Sequence, residues 1–137
     1  METVSDPVFG EMTYNYSWEK RQDVLLWGTA DNLRIVADAY PGEEITEAQR
    51  KGYSLFLDNI DRYSTKSLEL AAEYVSRAYE SIDASKVGSL MAPTAILFKQ
   101  DGTFGILCNF EYDEEHGLAI ILSPEDKEQA GPQDIFI

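Results

Sequence analysis

The chain has 137 residues, 44% of them hydrophobic and 12% aromatic, with 25 acidic and 11 basic side chains and a net charge of −14. That length supports one domain burying about two-thirds of its unfolded surface without a metal or disulfide, and so many aromatics exclude a disordered chain. The charge argues against direct nucleic-acid binding, because an acidic surface repels phosphate.

From the N-terminus, M-E-T-V-S-D-P is acidic and lacks the apolar core of a signal peptide. No apolar run approaches the length of a membrane span, so the expected location is the cytoplasm. V-F-G-E-M-T-Y-N-Y alternates loosely, with Phe9, Met12 or Tyr14, and Tyr16 available to a core. D-V-L-L-W is short and apolar, and G-T-A-D-N is rich in turn residues. L-R-I-V-A-D-A-Y sets Leu33, Ile35 and Ala37 on one face, and Pro41-Gly42 ends it. These segments predict a three-stranded antiparallel meander.

The middle is helical. Thr46 and Gln49 fit a capping box. Ile45, Ala48, Gly52, Leu55, Phe56, Asn59, Ile60 and Tyr63 follow at spacings of 3 and 4, with Gly52 and Asn59 interrupting the apolar stripe. A second helix is expected from Ser64 or Thr65, with Leu68, Ala71, Ala72, Val75, Tyr79 and Ile82 on its apolar side. The short join at 62–64 predicts a helical hairpin or corner. Glu73 and Arg77 form a favourable i, i+4 pair.

The last part returns to strands. T-A-I-L-F and T-F-G-I-L-C-N-F flank Asp101-Gly102, a hairpin signal. L-A-I-I-L is nearly all apolar, as in a strand covered on both faces. S-P-E-D-K-E-Q-A-G-P reads as a loop, and Q-D-I-F-I as a short last strand or a docked tail. The predicted fold is therefore α+β: one antiparallel sheet of about six strands, ordered β-β-β-α-α-β-β-β, with both helices on one face.

Chemistry concentrates in E-Y-D-E-E-H-G, residues 111–117, where four carboxylates meet His116, the only histidine. Asp113, Glu115 and His116 are ligand types for zinc or manganese, and they are also acid–base types. No second histidine supplies a usual metal set, however, and neither H-E-x-x-H nor a calcium-loop spacing occurs. The plainer reading is a hairpin corner in which Asp113 closes a turn, Gly117 takes positive φ, and His116 donates to a carboxylate or carbonyl. Between Glu111 and Asp134, eight acids face one base, Lys127. Gln133-Asp134 could anchor the tail, with Asp134 accepting backbone N–H bonds. Cys108 lies in an apolar run and reads as a small buried hydrophobe. No cofactor motif is present.

Several segments together resemble a known family: D-P-V-F-G, Trp18, I-T-E-A-Q-R-K-G-Y-S-L-F, D-G-T-F-G-I-L, D-E-E-H-G-L-A-I and the late Q-D. The chain resembles small uncharacterised bacterial domains of the domain-of-unknown-function type, whose relatives are candidate immunity proteins of polymorphic toxin systems. The matching positions are Trp18, Gln49, Asp113, Glu115, His116, Gly117 and Asp134. The resemblance implies a shared pocket or structural signature and no catalytic residue. The functional expectation is a non-enzymatic acidic domain that binds a basic protein such as a toxin, as a monomer or dimer. The alternatives are a small metal-dependent hydrolase using Asp113, Glu115 and His116, and an accessory domain that binds a ligand or itself.

Overall fold

A computed structural model describes residues 1–137. The elements run β1 (Thr3–Asp6), β2 (Gly10–Tyr14), β3 (Trp18–Leu26), β4 (Thr29–Ala37), α1 (Glu47–Asp58), α2 (Ile60–Ala78), α3 (Ala84–Val87), β5 (Met91–Phe98), β6 (Phe104–Phe110), β7 (Leu118–Ser123) and β8 (Gln129–Gly131). All eight strands form one sheet in chain order. The fold is α+β with the helices on one face of the sheet, as predicted.

Two features differ from the expected six-stranded antiparallel sheet. The eight strands include the short edge strands β1 and β8, and β4 pairs with β5 in parallel. Parallel neighbours require a crossover, and α1 and α2 provide it. Strand direction is set by that tertiary connection and leaves no mark on the strands' own alternation.

Local chemistry fixes the ends of the elements. The capping box is present: the Gln49 N–H donates to Thr46 Oγ1 at 3.1 Å, and the Thr46 N–H donates to Gln49 Oε1 at 2.9 Å. The break between the helices falls at Asn59, not at 62–64, with Asn59 at φ −134°. Ser64 is therefore mid-helix, where its hydroxyl accepts the Trp27 N–H at 3.0 Å. That contact comes from the β3–β4 turn, Trp27–Gly28, where both residues have positive φ. The turn-like residues that follow belong to β4, and Asn32 donates to Asp23 Oδ1 across the pair at 3.0 Å.

Two apolar clusters sandwich the sheet. The main one joins the helices to the strands through Phe9, Phe56, Ile96, Phe98, Phe104 and Ile106, all at most 1% exposed. Gly52, which weakened the helical stripe in sequence, lets α1 approach: a Cβ there would lie 3.0 Å from the Gly102 carbonyl and 3.3 Å from Phe98 and Phe104. On the reverse face Val36, Ala95, Leu97, Ala119 and Ile121 are covered by Phe136. Q-D-I-F-I is thus a docked tail, and L-A-I-I-L is buried on both faces, as its composition predicted.

Every buried side-chain nitrogen and oxygen has a hydrogen-bond partner. Asp6, only 5% exposed, accepts the Val8 and Phe9 N–H groups and pairs with Arg50 at 2.8 Å. Burial raises the Asp6 pKa, but Arg50 and the two N–H groups outweigh it and hold the carboxyl below its ordinary range. The pair pins the β1–β2 hairpin over α1, and β2 leaves β3 after Thr13–Glu19. Arg21 and Asp23 are exposed on the edge this departure opens, charges of the kind that deter strand addition.

Candidate functional site

The sequence candidates separate into two groups at opposite ends of the strands. Trp18 pairs with Ala37, which in turn pairs with Phe98, and Gln49 reaches the same end. Asp113, Glu115, His116 and Gly117 lie beyond the far ends of β6 and β7, where Cys108 pairs with Leu118. The structure does not gather them into one pocket.

The first group holds the β4–α1 loop, residues 38–46. Gln49 is fully buried, and its amide donates to the Asp38 carbonyl at 2.9 Å and the Phe98 carbonyl at 3.0 Å. With the capping bond to Thr46, it clips the start of α1 to the ends of β4 and β5. Trp18 is 6% exposed, and its indole N–H donates to the Glu43 carbonyl at 2.9 Å. Glu43 Oε1 accepts from the Tyr40 N–H at 2.6 Å and from Gln100 Nε2 at 2.8 Å, and the Thr46 hydroxyl donates to the Gln100 carbonyl at 2.8 Å. Trp18 and Gln49 are buried supports whose hydrogen bonds all end within the chain. What they present outward is the loop.

The second group forms the β6–β7 corner. Asp113 Oδ1 accepts the His116 backbone N–H at 3.1 Å, and His116 Nδ1 lies 3.1 Å from both carboxylate oxygens. The Gly117 N–H closes the turn onto the Asp113 carbonyl at 2.9 Å, with Gly117 at φ +63°. This is the hairpin corner of the plainer sequence reading. The His116 N–H bond, opposed by burial, then the imidazole, hold the Asp113 carboxyl below its usual range. Asp113, first by hydrogen bond and then by charge, followed by Glu115 and Asp134, raises the His116 pKa. Tail anchoring falls to Gln133 rather than Asp134. The Gln133 N–H donates to the His116 carbonyl at 3.1 Å, and its amide donates to the Cys108 carbonyl at 3.0 Å.

The arrangement offers little to catalysis. His116 is more than half exposed, and its ring is hydrogen-bonded only to Asp113. Cys108 is fully buried, and burial alone drives its thiol far above the ordinary range. No group of three or more His, Cys, Asp or Glu side chains is placed to hold a metal ion, so the ligand reading of Asp113, Glu115 and His116 gains no geometric support. A cleft of about 550 Å³ lies between α2 and the end of β7, lined by Arg62, Lys66, Glu69, Glu125 and Glu128 among others. None of the sequence candidates lines it, and Lys66 and Glu128 pair within it at 3.2 Å. No helix is long and apolar enough to cross a membrane.

Sequence reasoning passed over Tyr16 and Tyr40, which are 91% and 76% exposed. The available signals were Tyr16 between the turn formers Asn15 and Ser17, and Tyr40 immediately before Pro41-Gly42. Tyr16 was counted among residues available to a core because aromatics usually pack.

Residues 8–137 match the family described as Domain of unknown function (DUF6985), and the chain belongs to that family. No curated protein and no solved structure matches it.

Proposed function

We propose that the protein is a non-enzymatic, acidic protein-binding domain acting in the cytoplasm, and that its partner is a basic protein. The most concrete form of this reading is an immunity protein that blocks a toxin. The observation that carries it is the charge of −14 on a well-packed body. Six of the 11 basic side chains already lie within 4.0 Å of a carboxylate: Arg34, Arg50, Lys66, Arg77, Lys99 and Lys127. The outward field is therefore dominated by acids.

A toxin that cuts nucleic acid needs a basic groove for the phosphates. A negatively charged domain can occupy that groove, and complementary charge accelerates encounter by roughly 10- to 1,000-fold. The loop supports at Trp18 and Gln49 suit such a role, because a fixed surface loses less entropy on docking. Co-expression with any basic, toxin-like protein encoded by a neighbouring reading frame tests the reading. Restored growth and a recoverable complex are expected. Continued toxicity with no complex formed would dismiss it.

A further inference from the structure

Six of the eight tyrosines have their rings packed against another aromatic ring: Tyr14, Tyr53, Tyr63, Tyr74, Tyr79 and Tyr112. Tyr16 and Tyr40 differ. Neither packs on another ring within the chain, and neither phenol hydroxyl is hydrogen-bonded within it. They also share one end of the molecule. Ser17, next to Tyr16, donates to Asp38 Oδ1 at 3.3 Å, and the Tyr14 hydroxyl donates to the carbonyl of Ala39, next to Tyr40, at 2.9 Å.

Like Tyr16, Trp27 has positive φ, at 53°, but its backbone and indole N–H groups both bond to α2, at 3.0 and 2.8 Å. Tyr16 has φ 68° with its ring 91% in solvent. Nothing inside the protein uses that ring.

Charge defines what would. Asp38 Oδ1 accepts from Ser17, beside Tyr16, and Glu43 Oε1 accepts the Tyr40 N–H at 2.6 Å, so two carboxylates stand against these two turns. Lys99 approaches Asp38 at 3.9 Å and partly offsets one of them. Two free aromatic rings within a negative rim fit lysine and arginine, whose cations are attracted both to ring faces and to carboxylates. Tyrosine suits an anchor because it offers large area with only two rotatable side-chain bonds.

We propose that Tyr16 and Tyr40 are paired aromatic anchors of the docking surface, and that they receive a lysine- or arginine-bearing segment of a basic protein. The inference rests on the binding-domain reading and adds where the partner sits. The acidic corner at 111–115 is then peripheral to docking.

The test uses the isotopically labelled full chain titrated with a hexa-arginine peptide at about 20 mM salt, where surface charge is weakly screened. Amide shifts are expected to centre on residues 14–19 and 38–44. The double variant Tyr16→Asn/Tyr40→Ser should bind at least about tenfold more weakly. Its thermal midpoint should not fall, since both rings are exposed. Neutralising the corner with Glu111→Gln/Glu114→Gln/Glu115→Gln should weaken binding less than about threefold. Shifts centred on 111–116, with the corner variant the one that loses binding, would overturn the surface assignment and leave the acidic-binding reading standing. Absence of any binding by the unaltered chain would overturn both.

Discussion

Replacing Gln49 by methionine should cost far more than its chemistry on an exposed helix would suggest. Methionine keeps the length of the side chain but removes the acceptor for the Thr46 N–H and the donors to the Asp38 and Phe98 carbonyls. Phe98 retains the Asp38 N–H at 2.9 Å, whereas the Asp38 carbonyl loses the side-chain donor it has here. Three lost hydrogen bonds at about 1 kcal/mol each, plus about 1 kcal/mol for a half-buried carbonyl left unpaired, give a loss of roughly 3–4 kcal/mol. For a chain of this size the thermal midpoint should fall by about 12–15 °C. Urea denaturation gives the free energy, and hydrogen exchange should show faster opening of amides in residues 38–46. The exposed neighbour Lys51→Met, which breaks no such bond, should stay within about 0.5 kcal/mol of the original. A Gln49→Met loss below about 1 kcal/mol would show that the buried amide does not hold the loop.

Further outcomes concern the β6–β7 corner and the C-terminal tail. Gly117→Ala should destabilise by at least about 2 kcal/mol, because the residue has positive φ and its Cβ would lie 2.6 Å from Gln133 Nε2 and 2.8 Å from the Cys108 carbonyl; chemical denaturation measures it. Phe136→Ala uncovers the reverse-face cluster and should cost about 3 kcal/mol, with faster tail proteolysis as the visible sign. His116 should titrate above the ordinary histidine value by NMR and return toward it in Asp113→Asn, since Asp113 is the first cause of its raised pKa. Because the folded pKa is raised, the pair adds stability fully below the unfolded histidine pKa and loses it as pH rises through the folded one.

What could be read from the sequence was what local chemistry decides. Thr46 and Gln49 announce a capping box because both partners lie within one turn. Asp113 and Gly117 announce a corner for the same reason, and the apolar runs of β5, β6 and β7 announce buried strands. What was hidden depends on residues distant in sequence. Ser64 looks like a helix cap, but its hydroxyl is taken by Trp27 from 37 positions away. The three residues of β8 are a strand only because β7 offers an edge to pair with. The candidate site followed the same division. Gln49 was visible as a cap, while its grip on Asp38 and Phe98 required the parallel pairing of β4 and β5. Exposure of Tyr16 and Tyr40 was marked only by the turn formers beside them, because composition alone does not distinguish a packed ring from a free one.

If charge draws a basic partner to this surface, salt must slow their encounter. The rate is read by stopped flow with a basic protein that co-expression recovers in complex with this chain, followed across ionic strength. The association rate should fall by at least about tenfold between roughly 20 mM and 500 mM salt. A rate unchanged over that range would contradict it.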